Sequence, residues 1–448
     1  MAGSQSTGAR ETFHLPLEIV TEILSRLPAK SLLRFKSVCK DWYDLIETPD
    51  FISKHFQTQS TNSTSLLVTK YDRETETHAM SLIFNDGFPS NGPINLDFPF
   101  LNSRRFALPS SECPSKNYFS IGGVCNGLVC VSLSPFGYPL ILCNPATRQF
   151  RDIPNSECQW SGDTDYYGYV AVKRVSLGFG YHASANDYKL IRIVIYSNLM
   201  KDVFVQADLY VMRTDTWREI DADKFSAFLG ETSYVQIGGS CASAVLNGVF
   251  YWPACVMPTN EVIVGSFDMG DEVFRRIQTP VCLDETWDEI NWRITELKDK
   301  LALVIHLDDR RFDVWVLNED QGSWTNQFKL GSFPRIAPYV GCGENGEITV
   351  VGGMKNGELL VTDHKVSGNL KLFSYDPKTR KTTDLYFGRV PYPSDIYLYT
   401  GTLVSIMETN EAMLNRKNKK RKQCICETDS GVSSGSECFL CSYLYQSW

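Results

Sequence analysis

Between residues 13 and 57 the apolar positions recur with the period of a helix. Ile19, Val20, Ile23, Leu24 and Leu27 stand at i, i+1, i+4, i+5 and i+8, with Glu18, Thr21, Glu22, Ser25 and Arg26 opposite them. That spacing makes one broad stripe along a first helix. Pro28 stops this helix, because proline lacks the backbone donor and clashes with the preceding turn. Leu32, Leu33 and Phe35 predict a short second helix, and Val38, Trp42, Leu45 and Ile46 a third that ends before Pro49. Three short helices cannot bury this much apolar surface by themselves. Either the rest of the chain or the helices of a partner must cover the excess.

The serine- and threonine-rich stretch 58–64 is expected to be a linker. Beyond it the period changes to short β-rich runs such as SLLVTKY, YPLILCN, GVFYWPA and FDVWVLN, separated by Gly, Pro, Asn and Asp. Such runs predict an all-β sandwich, barrel or propeller. A turn signal followed by an apolar strand recurs at Asn126-Gly127, Asn186-Asp187, Asn247-Gly248, Asp299-Lys300 and Asn345-Gly346. A spacing of roughly 45–60 residues is the period of a four-stranded, kelch-like propeller blade. Each turn is followed by a second run that ends in a charged turn, as in ILCNPATRQF and GSFDMGDEVF. Glycine pairs at 122–123, 238–239 and 352–353 suit close strand approach. Residues 65–110 supply a degenerate blade, and the run 396–406 holds the strand that closes the ring. The count is six blades, with seven as the alternative.

The stretch LPLEIVTEILSRLPAKSLLRFKSVCKDWYDLI closely resembles an F-box, from its opening Leu15-Pro16 to the Val38-Cys39-Lys40-Asp41-Trp42 run. Between residues 66 and 406, GGVCNGLVCVS, ILCNPATRQFRDIP, LGFGYHASANDYKLIRIVI, VLNGVFYW and SFDMGDEVFRRI are similar, in order, to the F-box-associated domain of plant F-box proteins. One departure is Cys143, where an aromatic, usually tryptophan, is expected before Asn144-Pro145. The expected fold is therefore α+β multidomain: a disordered leader (1–12), a small all-α three-helix F-box (13–57), the linker (58–64), an all-β kelch-like propeller (65–408) and a basic, disordered tail (409–448).

The F-box resemblance implies docking on a Skp-type adaptor, and through it on the cullin and RING subunits of a ubiquitin ligase. The residues it assigns to docking are Leu15, Pro16, Ile19, Val20, Ile23, Leu24, Leu27, Pro28, Leu32, Leu33, Val38 and Trp42, with interface and core not separated. Beside an F-box, the propeller is implied to be the receptor for a protein substrate. The alternative is a non-degradative scaffold that binds the adaptor without assembling an active ligase.

Composition narrows the partners. A net charge of −8 gives no overall affinity for nucleic acid or an anionic membrane. No apolar run approaches the ~18 residues that span a bilayer, and residues 1–12 are small and polar with no apolar h-region, so no signal peptide is expected there. A cytoplasmic and/or nuclear protein is expected. Its cysteines should then be free, with Cys130, Cys143, Cys255 and Cys282 as small buried hydrophobes. No HExxH pair, GxSxG elbow or P-loop is present, so no catalytic residue, cofactor or metal is expected.

Two aromatic and acidic stretches stand out: Trp160, Tyr166, Tyr167 and Tyr169, then Trp287 and Trp292. They suit anchors for a basic patch on a target, or aromatics packed between blades. Arg416, Lys417, Lys419, Lys420, Arg421 and Lys422 form a nuclear localisation candidate or a solvated charge run. Cys424, Cys426, Cys438 and Cys441 depart from paired C-x2-C zinc spacing and read as free thiols.

Overall fold

Prolines and their neighbours punctuate the N-terminal helices. α1 (Leu17–Ser25) follows Pro16, and α2 (Ala29–Phe35) follows Pro28, both prolines holding the extended conformation of an N-terminal flank. α3 (Lys40–Glu47) starts after the extended Cys39. The chain does not leave the helical module at Pro49. It starts a further helix, α4 (Pro49–Asn62), that runs through most of the expected linker. Thr48 Oγ1 accepts a hydrogen bond from Phe51 N at 3.2 Å, with Pro49 at the first helical position, so Thr-Pro-Asp is a helix start. Polar residues of α4, Gln59 of the supposed linker among them, are held by tertiary contacts. Gln59 Nε2 donates to the carbonyls of Ser25 and Leu27, and His55 Nε2 donates to that of Leu27 at 2.9 Å. These are carbonyls left open where α1 ends, and α4 satisfies them.

The computed structural model describes residues 15–62, 65–72, 77–84, 94–102, 119–133, 139–156, 171–197, 203–221, 224, 234–237, 243–257, 261–280, 291–308, 311–330, 347–354, 356–364, 369–389 and 396–406. Past α4 it forms a six-bladed propeller, in agreement with the lower count. Blade 1 holds β1 (Ser65–Asp72), β2 (Thr77–Phe84) and β3 (Ile94–Leu96). Blade 2 is β4 (Phe119–Cys125), β5 (Leu128–Leu133), β6 (Leu140–Asn144) and β7 (Gln149–Ile153). Blade 3 is β8 (Ala171–His182), β9 (Asp187–Ser197), β10 (Val203–Val211) and β11 (Thr216–Glu219). Blade 4 has β12 (Tyr234–Ile237) and β13 (Ala244–Leu246) both paired to β14 (Val249–Met257), then β15 (Glu261–Asp268) and β16 (Val273–Gln278). Blade 5 is β17 (Asn291–Leu297), β18 (Lys300–Asp308), β19 (Arg311–Asn318) and β20 (Ser323–Leu330). Blade 6 is β21 (Glu347–Gly353), β22 (Leu359–His364), β23 (Asn369–Asp376) and β24 (Lys381–Arg389). The last described strand, β25 (Ile396–Tyr399), pairs antiparallel with β1 and supplies the innermost strand of blade 1. First and last strands thus share one sheet, which closes the ring and removes the edges an open sheet would expose.

The repeat seen in the sequence has a local cause. Asn126 and Gly127, Asn247 and Gly248, and Lys298 and Asp299 all take positive φ, the requirement of the tight type I′ hairpin turn between inner and second strands. In blade 6 the corresponding connection carries Asn356-Gly357, where Gly357 takes φ 87 and Met354 N bonds to Glu358 O. The expected Asn345-Gly346 turn falls outside the described residues, so its register as the equivalent turn is corrected. The charged turns share another device. Asn144, Asp268 and Asp376 each accept hydrogen bonds at Oδ1 from backbone N–H groups two or three residues on, and Arg148, Glu272 and Arg380 then take positive φ.

Each blade is buried on both faces, so its strands read as near-continuous apolar runs rather than alternating ones. One apolar cluster fills each gap between adjacent blades around the ring. Cys143, fully buried, lies in the cluster between blades 1 and 2. The room an aromatic would take is occupied by neighbouring rings: Phe150, opposite Cys143 in register, packs against Phe98 and Phe100 with centroids 6.2 and 5.4 Å away. Gly123 shows why glycine serves the inner strands. A Cβ there would come within 3.0 Å of the Phe179 backbone nitrogen on the next blade.

Candidate functional site

The helical module has a core of its own, and that core separates residues the sequence left together. Leu24, Leu32, Ile46 and Phe51 are buried, with Val20, Leu27, Leu33 and Trp42 half-buried against them. Full burial of each large apolar side chain is worth ~1.5–3 kcal/mol. What remains outside is apolar as well. Leu15 and Val38 are each 61% exposed, Ile19 48% and Ile23 49%. Leu17 and Tyr43 are exposed beside them in sequence. Ile19 and Ile23, one turn apart, sit on one face of α1. Pro16 and Pro28 are exposed too. The docking candidates therefore divide: Leu15, Pro16, Ile19, Ile23, Pro28 and Val38 face outward, while Leu24 and Leu32 are core.

That core includes a residue from the far end of the chain. Leu403, 4% exposed, belongs to the same cluster as Leu24, Leu32 and Phe51, and Ala146 of blade 2 packs against it. After β25 the chain runs as a strap, residues 400–406, over the turns of blade 2. Buried Asn144 holds it through Nδ2, which donates to Thr402 O at 3.2 Å and Val404 O at 2.8 Å. Gly127 lets the strap pass, since a Cβ there would stand 2.4 Å from Thr400 O. Ile406 then anchors the strap between blades 2 and 3. The helical module is thus seated on the propeller by one apolar plug.

Comparison with known proteins agrees with this arrangement. The F-box domain model matches residues 13–54, and the F-box associated beta propeller domain model matches 97–399. This chain belongs to the F-box associated beta propeller family. Its relatives in Arabidopsis thaliana include the F-box protein At3g07870, 27% identical over 87% of this chain and 91% of that one. The F-box/kelch-repeat protein At3g23880 is 27% identical over 74% of this chain and 83% of its own. The F-box protein CPR1 is 27% identical over 70% and 73%. The F-box associated match ends at Tyr399, where the ring closes, and leaves blade 1's first strands and the strap outside it.

The remaining candidates are placed differently. Trp292 is 6% exposed in the cluster between blades 4 and 5, so it is packing and not a target anchor. It sits on β17, where every second side chain faces a neighbouring blade. Trp160, Tyr166, Tyr167, Tyr169 and Trp287 lie outside the described residues, as do Arg416, Lys417, Lys419, Lys420, Arg421 and Lys422, the tail cysteines and Cys282. Cys130, Cys143 and Cys255 are buried and form no disulfide. Burial pushes the Cys130 thiol up to about 12, which keeps it protonated and unreactive.

Proposed function

We propose that this chain is the substrate-recognition subunit of a Skp–cullin–F-box ubiquitin ligase. In this reading its F-box docks on the adaptor and its propeller holds a protein target for ubiquitination and degradation. The observation that carries the reading is the exposed apolar surface of Leu15, Ile19, Ile23 and Val38, left over after the module's own core is complete. A soluble domain seldom leaves such a face uncovered without a partner for it, and an amphipathic helix face suits helix-in-groove docking. The chain's contribution is proximity. A target held on the propeller meets the conjugating enzyme at raised effective concentration, and the seated F-box keeps the geometry from one capture to the next.

The test compares two neighbouring residues in binding to a purified Skp-type adaptor. Ile23→Asp should weaken binding by on the order of 2 kcal/mol or more, the scale of an interface hot spot, with thermal melting unchanged. Leu24→Ala should lower the melting temperature of the helical module instead, because it leaves a core cavity costing ~2–5 kcal/mol. Undiminished adaptor binding by Ile23→Asp would overturn the docking face.

A further inference from the structure

The innermost strands of all six blades wall a central cavity of about 310 Å³. This is at the lower end of the ~300–1,000 Å³ typical of small-molecule pockets. Much of the wall is apolar, including Leu177, Phe179, Phe250 and Leu398. Some of its polar groups are already occupied. Thr295 Oγ1 donates to Val351 O at 3.2 Å, Tyr397 Oη donates to Ile121 O at 3.3 Å, and Glu296 has an interaction of its own.

Two are not. Arg293 on β17 lines the cavity half-buried and has no hydrogen bond or ion pair among the described residues. Ser243, at the entry to β13, has a buried Oγ with no partner. A guanidinium in a concave, partly desolvated wall presents a planar fork of donors that matches a carboxylate. An unpaired buried hydroxyl is itself costly to leave unmet. Among the described residues Arg293 is the one cationic side chain on this wall, which suits a single negative charge better than a phosphate dianion.

We propose that the central cavity binds a small organic acid. Its carboxylate pairs with Arg293, its apolar body lies against Leu177, Phe179, Phe250 and Leu398, and Ser243 Oγ supplies a further hydrogen bond. The proposal rests on the closed ring and not on adaptor docking, and its test contains no adaptor.

The experiment is ligand-observed saturation-transfer NMR on the full chain with 3-phenylpropionate, its neutral amide, and an N-acetylated phenylalanyl-aspartyl peptide amide. The acid should bind at least tenfold more tightly than the amide. Arg293→Gln should abolish that preference, Arg293→Lys should restore part of it, and Ser243→Ala should weaken the acid several-fold. Circular dichroism melts identify any variant that has lost the fold, and the acid-against-amide comparison on the unaltered chain needs no variant. Equal binding of acid and amide, no binding of the acid at millimolar concentration, or full acid binding by folded Arg293→Gln would each overturn the site. A peptide carboxylate that binds where the free acid does not would overturn the small-molecule occupant.

Discussion

Glu22 stands on α1 with Arg26 Nη2 at 2.7 Å and Lys54 Nζ, on α4, at 2.8 Å. Hydrogen bonds from Lys54 and then Arg26 hold its carboxyl at about 2, well below the usual 4.5. A carboxylate depressed by folding adds stability that is complete above its unfolded value and is lost as pH falls through the folded one. The tie between α1 and α4 should therefore weaken between pH 4.5 and about 2. Glu22→Gln should flatten the pH dependence of helical-module unfolding in that window, followed by far-UV circular dichroism. An unchanged acid profile would mean the exposed pair is screened out by solvent. Ile23 and Leu24, the next two residues, show the limit of periodicity at this scale. A stripe more than a hundred degrees wide contains both core and interface positions, and only the packed neighbours α4 and Leu403 decide which is which.

Two elements carry information that local patterning hides. α4 was legible at its start, where Thr48-Pro49-Asp50 has the residues of an N-cap and first turn, but the proline reads equally well as a stop. Its C-terminal half is polar, and it persists because His55 and Gln59 fill the open carbonyls of Ser25 and Leu27. The strap has no secondary structure to predict. Leu403→Ala should remove ~2–5 kcal/mol from the helical module. In hydrogen-exchange mass spectrometry this appears as faster exchange in α1, α2 and α3, with β17–β24 unchanged. Equal protection in all three helices would mean that the F-box core stands without its plug.

At the scale of the whole molecule, the last described strand completes the first blade. β25 pairs Ser65 with Tyr399 and Val68 with Ile396 across the ring, a contact between the two ends of the propeller sequence. Ending the chain before Ile396 should leave blade 1 without its inner strand and abolish the single cooperative unfolding transition in urea. Ending it after Tyr399 should keep that transition but lose the plug, so the F-box helices melt earlier and adaptor binding falls. A cooperative transition in the shorter chain would refute ring closure as the source of cooperativity.

The amphipathic period of residues 19–27 and the paired turn signals are local properties, set by side-chain spacing and by the positive φ that Asn and Gly tolerate. The sequence alone therefore determined the helical module, the β blades and their repeat. The register of the sixth blade, the burial of Trp292, the division of the F-box stripe and the plug at Leu403 depend on residues brought together over hundreds of positions. Burial there is settled by which surfaces meet when the ring closes, and no local period encodes that.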